Sequence, residues 1–196
     1  MRRRQHSKRA WIAIFLSLMT TAAHATTWQV DGAQSTAQFA LRGPWLAQIE
    51  GRFAHIDGRV TSQHDATHYD VSIRIAAASV LMRRDSYENW AKSAEFFDVE
   101  RHPWIEFEAL AVPHTLLLAG GELHGALQMR GTQRPVVLHL QAADCAAPAR
   151  DCPVRATAKI DRGDFGMQAR RVLIGEHVRL HFEFLLKPDA AHRESK

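Results

Sequence analysis

The sequence predicts an all-β protein whose antiparallel strands curl into a single barrel. Apolar and polar residues alternate with a period of two along most of the chain between Trp28 and Leu186, which is typical of strands with one buried and one solvated face. Short clusters of glycine, proline and polar residues separate these segments and favour up-and-down connections. We count about eight or nine strands, and eight are enough to close a barrel around one small ligand.

The individual strands follow from this alternation. It is clearest over residues 177–186, where Val178, Leu180 and Phe182 share one face. Between Ile49 and Val60 the phase of the alternation changes, which predicts a bulge near residues 54–55. The other strands are predicted over residues 37–41, 69–75, 105–109, 123–129, 136–140 and 154–160.

One segment departs from the strand pattern and is predicted to be a helix. Asp85 and Glu88 have the spacing of a capping box in which Asp85 is the N-cap residue. Apolar residues then recur at helical spacing on one face, at Tyr87, Trp90, Ala91 and Ala94. We expect this single amphipathic helix to end before Phe96 and to pack over an open end of the barrel.

The two cysteines, Cys145 and Cys152, are predicted to form a disulfide bond that clamps a loop between two strands. Closing so short a loop contributes about 2–3 kcal/mol in the chain-entropy model. Redox catalysis favours a tighter Cys-x-x-Cys pair, and a structural zinc site needs further ligands. A structural role is therefore the favoured interpretation.

The first 25 residues have the form of a secretory signal peptide. A basic start is followed by an apolar run too short for a stable membrane span, and Ala23-His24-Ala25 matches a signal-peptidase site. An uncleaved N-terminal anchor is the alternative. We expect the mature protein to start at Thr26, outside the cytoplasm.

Removal of this segment changes the charge balance. It takes away five basic residues, so 20 Lys and Arg remain against 21 Asp and Glu, and the net charge falls from +4 to about −1. A nucleic-acid partner is then disfavoured, because such binders need a positive surface field. No later apolar run reaches the roughly 18 residues of a membrane-spanning helix.

The buried faces of the predicted strands mix small and large residues. Ala37, Gly51, Gly58, Gly125 and Ala158 alternate with Phe, Leu and Ile. Such a mixture is typical either of tapered core packing or of a cavity left for a ligand. The pattern alone does not decide between them.

Several stretches, in order across most of the chain, resemble the YceI family of periplasmic, lipocalin-like barrels. The most distinctive block is KSAEFFDV at residues 92–99 with HPWIEF at residues 102–107. The other stretches are residues 28–31, 35–39, 51–53, 57–58, 84–85, 121–127, 131–136, 162–167 and 174–178.

The resemblance implies an extended, eight-stranded, antiparallel, lipocalin-like barrel with one capping helix and a hydrophobic tunnel. The implied ligand is a long-chain isoprenoid or acyl lipid, and no other cofactor is expected. We divide the chain into a signal peptide (1–25), a lipid-binding barrel (26–188) and a polar tail (189–196). The resemblance and the strand edges also make a homodimer an open possibility.

We predict the tunnel lining from the large apolar residues on the buried strand faces, and we expect Trp90, Phe96 and Phe97 to close the end of the tunnel. Ordinary core packing is the alternative for each residue taken alone. The predicted ligand-binding residues are Phe39, Leu41, Phe53, Ile73, Ile75, Trp90, Phe96, Phe97, Phe107, Leu127, Leu138, Leu140, Leu180 and Phe182.

Two other functions stay open as alternatives, a secreted hydrolase and a metal-binding protein. The sequence has no nucleophile elbow, His-Glu-x-x-His motif or phosphate-binding glycine loop, so we assign no catalytic residue and do not expect an enzyme. His64 and His68 lie in a predicted loop, and His124 and His139 could meet across a hairpin. Two histidines alone make a weak metal site, so we assign none.

Overall fold

Twelve strands and two helices occupy residues 25–63, 67–170 and 172–189, which are the residues that this computed structural model describes. The predicted signal peptide, apart from Ala25, and nearly all of the predicted tail lie outside the described residues. The elements are β1 (Thr27–Val30), β2 (Thr36–Arg42), β3 (Gln48–Phe53), β4 (Ile56–Ser62), β5 (His68–Ala76), β6 (Val80–Met82), α1 (Asp85–Lys92), β7 (Trp104–Pro113), α2 (His114–Ala119), β8 (Gly121–Met129), β9 (Thr132–Leu140), β10 (Val154–Asp161), β11 (His177–Phe184) and β12 (Leu186–Pro188).

All twelve strands belong to one sheet with the order β12-β1-β4-β5-β7-β8-β9-β10-β11-β2-β3-β6. Every ladder between these strands is antiparallel. Four of the strands are interrupted: β1 continues as β2, β3 as β4, β5 as β6 and β11 as β12. If each interrupted strand is counted once, eight strands remain. The first of them, β1–β2, pairs with the last, β11–β12, and this pairing closes the sheet, so the predicted eight-stranded barrel is confirmed.

Two of the interruptions lie side by side. Ala54 and His55 separate β3 from β4, and a 3-10 turn, Ala77–Ser79, separates β5 from β6. The backbone N–H groups of Ala54 and Ala76 donate across this gap to the carbonyls of Ser79 and His55, at 3.0 and 3.1 Å. Phe53 and Ile56 are both buried, so the predicted change of phase is present at this position.

Helix α1 begins where predicted, but its cap differs from the prediction. Arg84, with an extended backbone, is the N-cap residue, and its side chain makes no capping hydrogen bond. The Glu88 carboxylate accepts hydrogen bonds from Lys92 Nζ (2.7 Å) and from the backbone N–H of Met82 (3.3 Å). The capping box is therefore wrong, and Glu88 instead ties α1 to β6. These two bonds, the one from Lys92 above all, lower the pKa of Glu88.

The apolar face of α1 is smaller than predicted. Ala91 is buried, whereas Tyr87 is 37% exposed and Ala94 lies beyond the helix and is exposed. The prediction of a single helix is also wrong, because β7 is followed directly by the six-residue α2. Its leucines, residues 116–118, lie between the strands predicted over residues 105–109 and 123–129.

The predicted disulfide bond is confirmed. Cys145 and Cys152 are joined, with their Cα atoms 6.0 Å apart, in the loop that connects β9 to β10. The same loop carries an isolated bridge between Pro148 and Cys152. The bond therefore holds the end of the barrel opposite to the β8–β9 hairpin.

Arg162 organises the long connection between β10 and β11. Its side chain is fully buried, and its guanidinium donates to the backbone carbonyls of Met167, Ile174 (3.1 Å) and Gly175 (3.1 Å). These three carbonyls belong to one loop, and the 3-10 turn that Arg162 begins ends at Phe165. One side chain thus fixes a segment that has little regular secondary structure.

We predict that Arg162→Met lowers the free energy of unfolding by at least about 3 kcal/mol, because each buried carbonyl left without a donor costs about 1–3 kcal/mol. Arg162→Lys should recover only part of this loss, since an ammonium group cannot reproduce the planar fork of the guanidinium. Urea unfolding followed by circular dichroism measures both. The control is Arg179→Met on the exposed face of β11, expected to change stability by about 0.5 kcal/mol or less. Equal losses in Arg162→Met and the control would contradict this role.

Candidate functional site

The barrel encloses an apolar cavity whose wall comes from all eight strands of the ring. Among the described residues that border the cavity, Gln38 alone is polar, and it is exposed on β2 between the buried Ala37 and Phe39. The cavity volume is about 70 Å³, which holds a few molecules the size of water. A hydrocarbon chain of tens of carbons is much larger, so the side chains in the wall must move to admit one.

Most of the predicted lining residues lie in this wall. Eleven of the fourteen do so: Phe39, Phe53, Ile73, Ile75, Phe96, Phe97, Phe107, Leu127, Leu138, Leu180 and Phe182. This result places the side chains around the cavity, and their contact with a ligand stays a prediction.

The other three predicted residues lie elsewhere. Leu41 is buried in the main core, where its partner in the register is Ile49 on β3. Leu140 belongs to a second core cluster with Ala156. Trp90 packs on Phe96, outside the cavity wall, with the two ring centroids 4.9 Å apart.

The prediction missed nine residues of the wall. Seven of them lie on the inward faces that the alternation predicts. The alternation does not give their position along the barrel axis, which determines whether they reach the cavity. Met167 follows a turn and has no periodic signal, while Gln38 lies on a strand face that was expected to be solvated. The missed residues are Gln38, Ile105, Met129, Val136, Ala158, Ile160, Met167, Val178 and Phe184.

Four phenylalanines fill the end of the cavity below α1. Phe97 contacts Phe39, Phe53 and Phe96, with ring centroids 5.8, 5.5 and 4.7 Å apart. Tilted and edge-to-face arrangements at these distances are favourable for aromatic pairs. The Arg130 guanidinium donates to the carbonyls of Ala94 (3.1 Å) and Phe96 (2.6 Å), and it thereby fixes the segment that carries two of the rings.

Two glycines on the inner face leave room for aromatic rings. A Cβ atom on Gly51 would lie 2.4 Å from Cζ of Phe39, and one on Gly125 would lie 2.4 Å from Cζ of Phe107. Each ring therefore lies directly over a glycine of a neighbouring strand. The small residues noted in the sequence thus serve packing at these two positions, and the rings they accommodate form part of the cavity wall.

The described wall of the cavity is uncharged. None of the residues in its wall has an ionisable side chain. Within the described residues there is also no group of three or more His, Cys, Asp or Glu side chains that could hold a metal ion. What the arrangement can do is bury apolar surface, which favours an apolar ligand without directional contacts.

Two of the histidines considered as metal ligands, His124 and His139, lie on the exposed surface of the barrel. Glu122 lies between His124 and His139, with nitrogen–oxygen distances of 3.8 and 3.9 Å. All three side chains are more than half exposed. His68 is on β5, and His64 lies outside the described residues.

Comparison with known proteins identifies a protein family and relatives that match this chain. The model of the family described as "YceI-like domain" matches residues 28–186. The UPF0312 protein SAB2563 of Staphylococcus aureus (strain bovine RF122 / ET3-1) is 26% identical over 88 residues, which are 44% of this chain and 52% of that protein. The chain thus matches about half the length of that relative.

Solved structures share the fold. BcnA of Burkholderia cenocepacia is 18% identical with a TM-score of 0.66, over 81% of this chain and 99% of that one. A polyisoprenoid-binding domain from Saccharophagus degradans, implicated in plant cell wall breakdown, is 14% identical with a TM-score of 0.64, over 84% and 99%. The YCEI protein of Campylobacter jejuni is 18% identical with a TM-score of 0.56, over 71% and 85%. Among the described helices, none combines the length and apolar character needed to cross a membrane.

We predict that Gly51→Ala destabilises the protein by about 1–3 kcal/mol, because the new methyl group overpacks the inner face. The three atoms nearest to that methyl group all belong to the ring of Phe39. The double variant Gly51→Ala/Phe39→Leu should therefore be less destabilised than the sum of the two single variants. A double-mutant cycle of urea unfolding free energies measures this coupling. Strict additivity would mean that the ring and the glycine do not pack together.

Proposed function

The chain belongs to the YceI-like family, and from that membership we propose that it binds a long-chain amphiphilic lipid in its barrel and carries that lipid in the periplasm. Polyisoprenoids, isoprenoid quinones and fatty-acid-like molecules are the candidate ligands, since each joins a long apolar tail to a polar head. The observation that carries the proposal is the cavity wall, which is apolar apart from Gln38.

The energetics of burial support a lipid tail as the ligand. Each methylene removed from water contributes about 0.8 kcal/mol, so ten of them supply roughly 8 kcal/mol before the costs of association are subtracted. The wall offers almost no hydrogen bonds in return. A polar ligand would lose its hydrogen bonds to water on entering the cavity, whereas a hydrocarbon tail has no such hydrogen bonds to lose.

A structural relative provides further support. The Saccharophagus degradans domain is described as polyisoprenoid-binding, and it shares the fold over 84% of this chain. At 14% identity that likeness extends to the fold alone. The choice of lipid for this chain therefore rests on its own cavity, which must widen to hold a long tail.

The location outside the cytoplasm is supported by two features of the chain. Residues 1–25 have the pattern of a signal peptide, and the Cys145–Cys152 disulfide bond persists most readily in an oxidising compartment. A periplasmic carrier would have to shield a lipid tail from water, which is the property that an apolar cavity supplies.

We predict that Ala158→Leu weakens binding of a long-chain polyprenol or fatty acid about tenfold or more. The larger side chain takes up space in the cavity, and overpacking of about 1–3 kcal/mol corresponds to roughly that factor. The matched control is Ser72→Leu, which adds the same side chain on the exposed outer face of β5, away from the cavity and from the concavity outside it, and should leave affinity unchanged. Fluorescence titration measures the dissociation constants, and circular dichroism checks folding.

The lipid-binding proposal is checked independently by native mass spectrometry of protein purified from its own host. We expect a bound species whose mass, after organic extraction, corresponds to a long-chain lipid. A preparation that neither carries a lipid nor binds the added polyprenol or fatty acid would contradict the proposed function.

We also predict that the mature protein from the periplasmic fraction begins at Thr26. Cleavage after Ala25 follows from the Ala23-His24-Ala25 pattern. Intact-mass measurement and N-terminal sequencing check the cleavage site. Replacing Ala23 and Ala25 with Arg should block processing and retain the full-length chain in the membrane fraction. A protein that retains Met1 in the cytosol would refute the proposed location.

A further inference from the structure

Among the described ladders of the barrel wall, the one between β9 and β10 is the shortest, with two residue pairs where the next shortest have three. Strand β9 pairs with β8 along its whole length, and β10 pairs with β11 in the same way. Between β9 and β10, the described pairing is limited to Leu140 with Ala156 and His139 with Thr157. We call the two facing segments beyond this point, residues 132–138 of β9 and 158–161 of β10, the seam.

The sequence explains why the ladder stops. Pro135, within β9, has no backbone N–H to donate, and proline is rare in the interior of a fully paired strand. On the other side, β10 ends at Asp161, whose carboxylate accepts a hydrogen bond from the backbone N–H of Gly163 (2.7 Å) and begins the 3-10 turn Arg162–Phe165. Both strands therefore depart from ladder geometry at this end.

The seam forms part of the cavity wall. Val136 and Leu138 on β9 line the cavity, and so do Ala158 and Ile160 on β10. Continuing the register of the two observed pairs places Leu138 opposite Ala158 and Val136 opposite Ile160. The four apolar side chains thus face each other across a stretch where backbone pairing does not hold the strands together.

The outer side of the seam is a concave surface open to solvent. This concavity shares Val136, Ala158 and Ile160, at the seam, with the cavity inside the barrel. It also shares Gln38, Phe39 and Leu180, but these lie on β2 and β11, which are paired with each other over six residues. Its margin is polar and carries charges of both signs, contributed by Arg134, Lys159, Asp161, Asp164 and Arg179. At the seam, the wall between the apolar interior and this polar margin therefore consists of two strands that are not paired with each other.

The end of the barrel below α1 is a less suitable route to the cavity. The rings of Phe96 and Phe97 occupy it, and the hydrogen bonds of Arg130 hold the backbone that carries them. The Arg170 guanidinium adds an ion pair to Glu95 (3.4 Å) and lies over the Trp90 ring. Opening that end would break all of these contacts together, whereas the seam has few backbone bonds to break.

We propose that the seam between β9 and β10 is a lateral portal through which the hydrocarbon tail of the lipid enters the barrel, while its polar head stays at the charged margin. This inference rests on the proposed lipid binding and adds the route by which the ligand reaches its site. Separation of the two strands admits the tail, and their apolar side chains close over it afterwards.

Covalent closure of the seam tests the portal. Val137 and Lys159 face each other across the seam when the register is continued, and neither lines the cavity. In the variant Val137→Cys/Lys159→Cys, a short bifunctional thiol reagent ties the strands together without filling the lumen. The control, His139→Cys/Thr157→Cys, places the same bridge across two residues that are already paired. Peptide mapping verifies each bridge and the native disulfide bond.

The readout is the rate at which each protein takes up parinaric acid, a fatty acid that fluoresces in an apolar environment. We expect the bridge between positions 137 and 159 to slow uptake at least tenfold, with the control bridge leaving it unchanged. Equal rates in the two bridged proteins, or equal slowing in both, would overturn the portal. If the wild-type protein binds neither parinaric acid nor polyprenol, lipid binding itself fails and the portal falls with it. Normal binding with no effect of the bridge would overturn the portal alone.

Discussion

The whole structure depends on closing eight strands into a ring while keeping the inside of that ring apolar. A twisted sheet closes only if its strands coil, and long uninterrupted strands resist this bending. The chain meets the constraint with four interruptions, such as Ala54-His55 and the Ala77–Ser79 turn. Backbone groups at those two interruptions hydrogen-bond to each other, so these groups keep partners although the strands bend there.

The same closure determines what the interior can hold. In an eight-stranded ring the inner side chains nearly meet at the centre, so small residues are needed wherever a large ring must fit. Gly51 accommodates Phe39 and Gly125 accommodates Phe107, and both rings then line the cavity. The small cavity is therefore a consequence of aromatic packing, and rotation of these rings is the direct way to enlarge it.

The sequence predicted the strands well because alternation reports directly on which face is buried, and the phase change at Ala54 was visible for the same reason. It predicted the cap of α1 wrongly, because Glu88 bonds to Met82 on another element, which spacing along the helix cannot show. Alternation also does not show where along the barrel axis a residue lies. Leu140 was therefore assigned to the cavity although it lies in the second core cluster, and Ile160 was omitted although it lines the cavity.

The distribution of side chains around the cavity bears on ligand selectivity. An apolar wall rewards every methylene about equally, so it discriminates poorly between head groups. Phe96 and Phe97 close one end, so a tail that enters at the seam can extend only until it meets these rings. In the proposed arrangement, the extent to which these rings can rotate limits the length and branching of the tail. The head group stays outside the barrel, where it contacts charged side chains such as those of Arg134 and Asp164. In this arrangement the interior sets the affinity, and the two boundaries of the cavity set the choice of lipid.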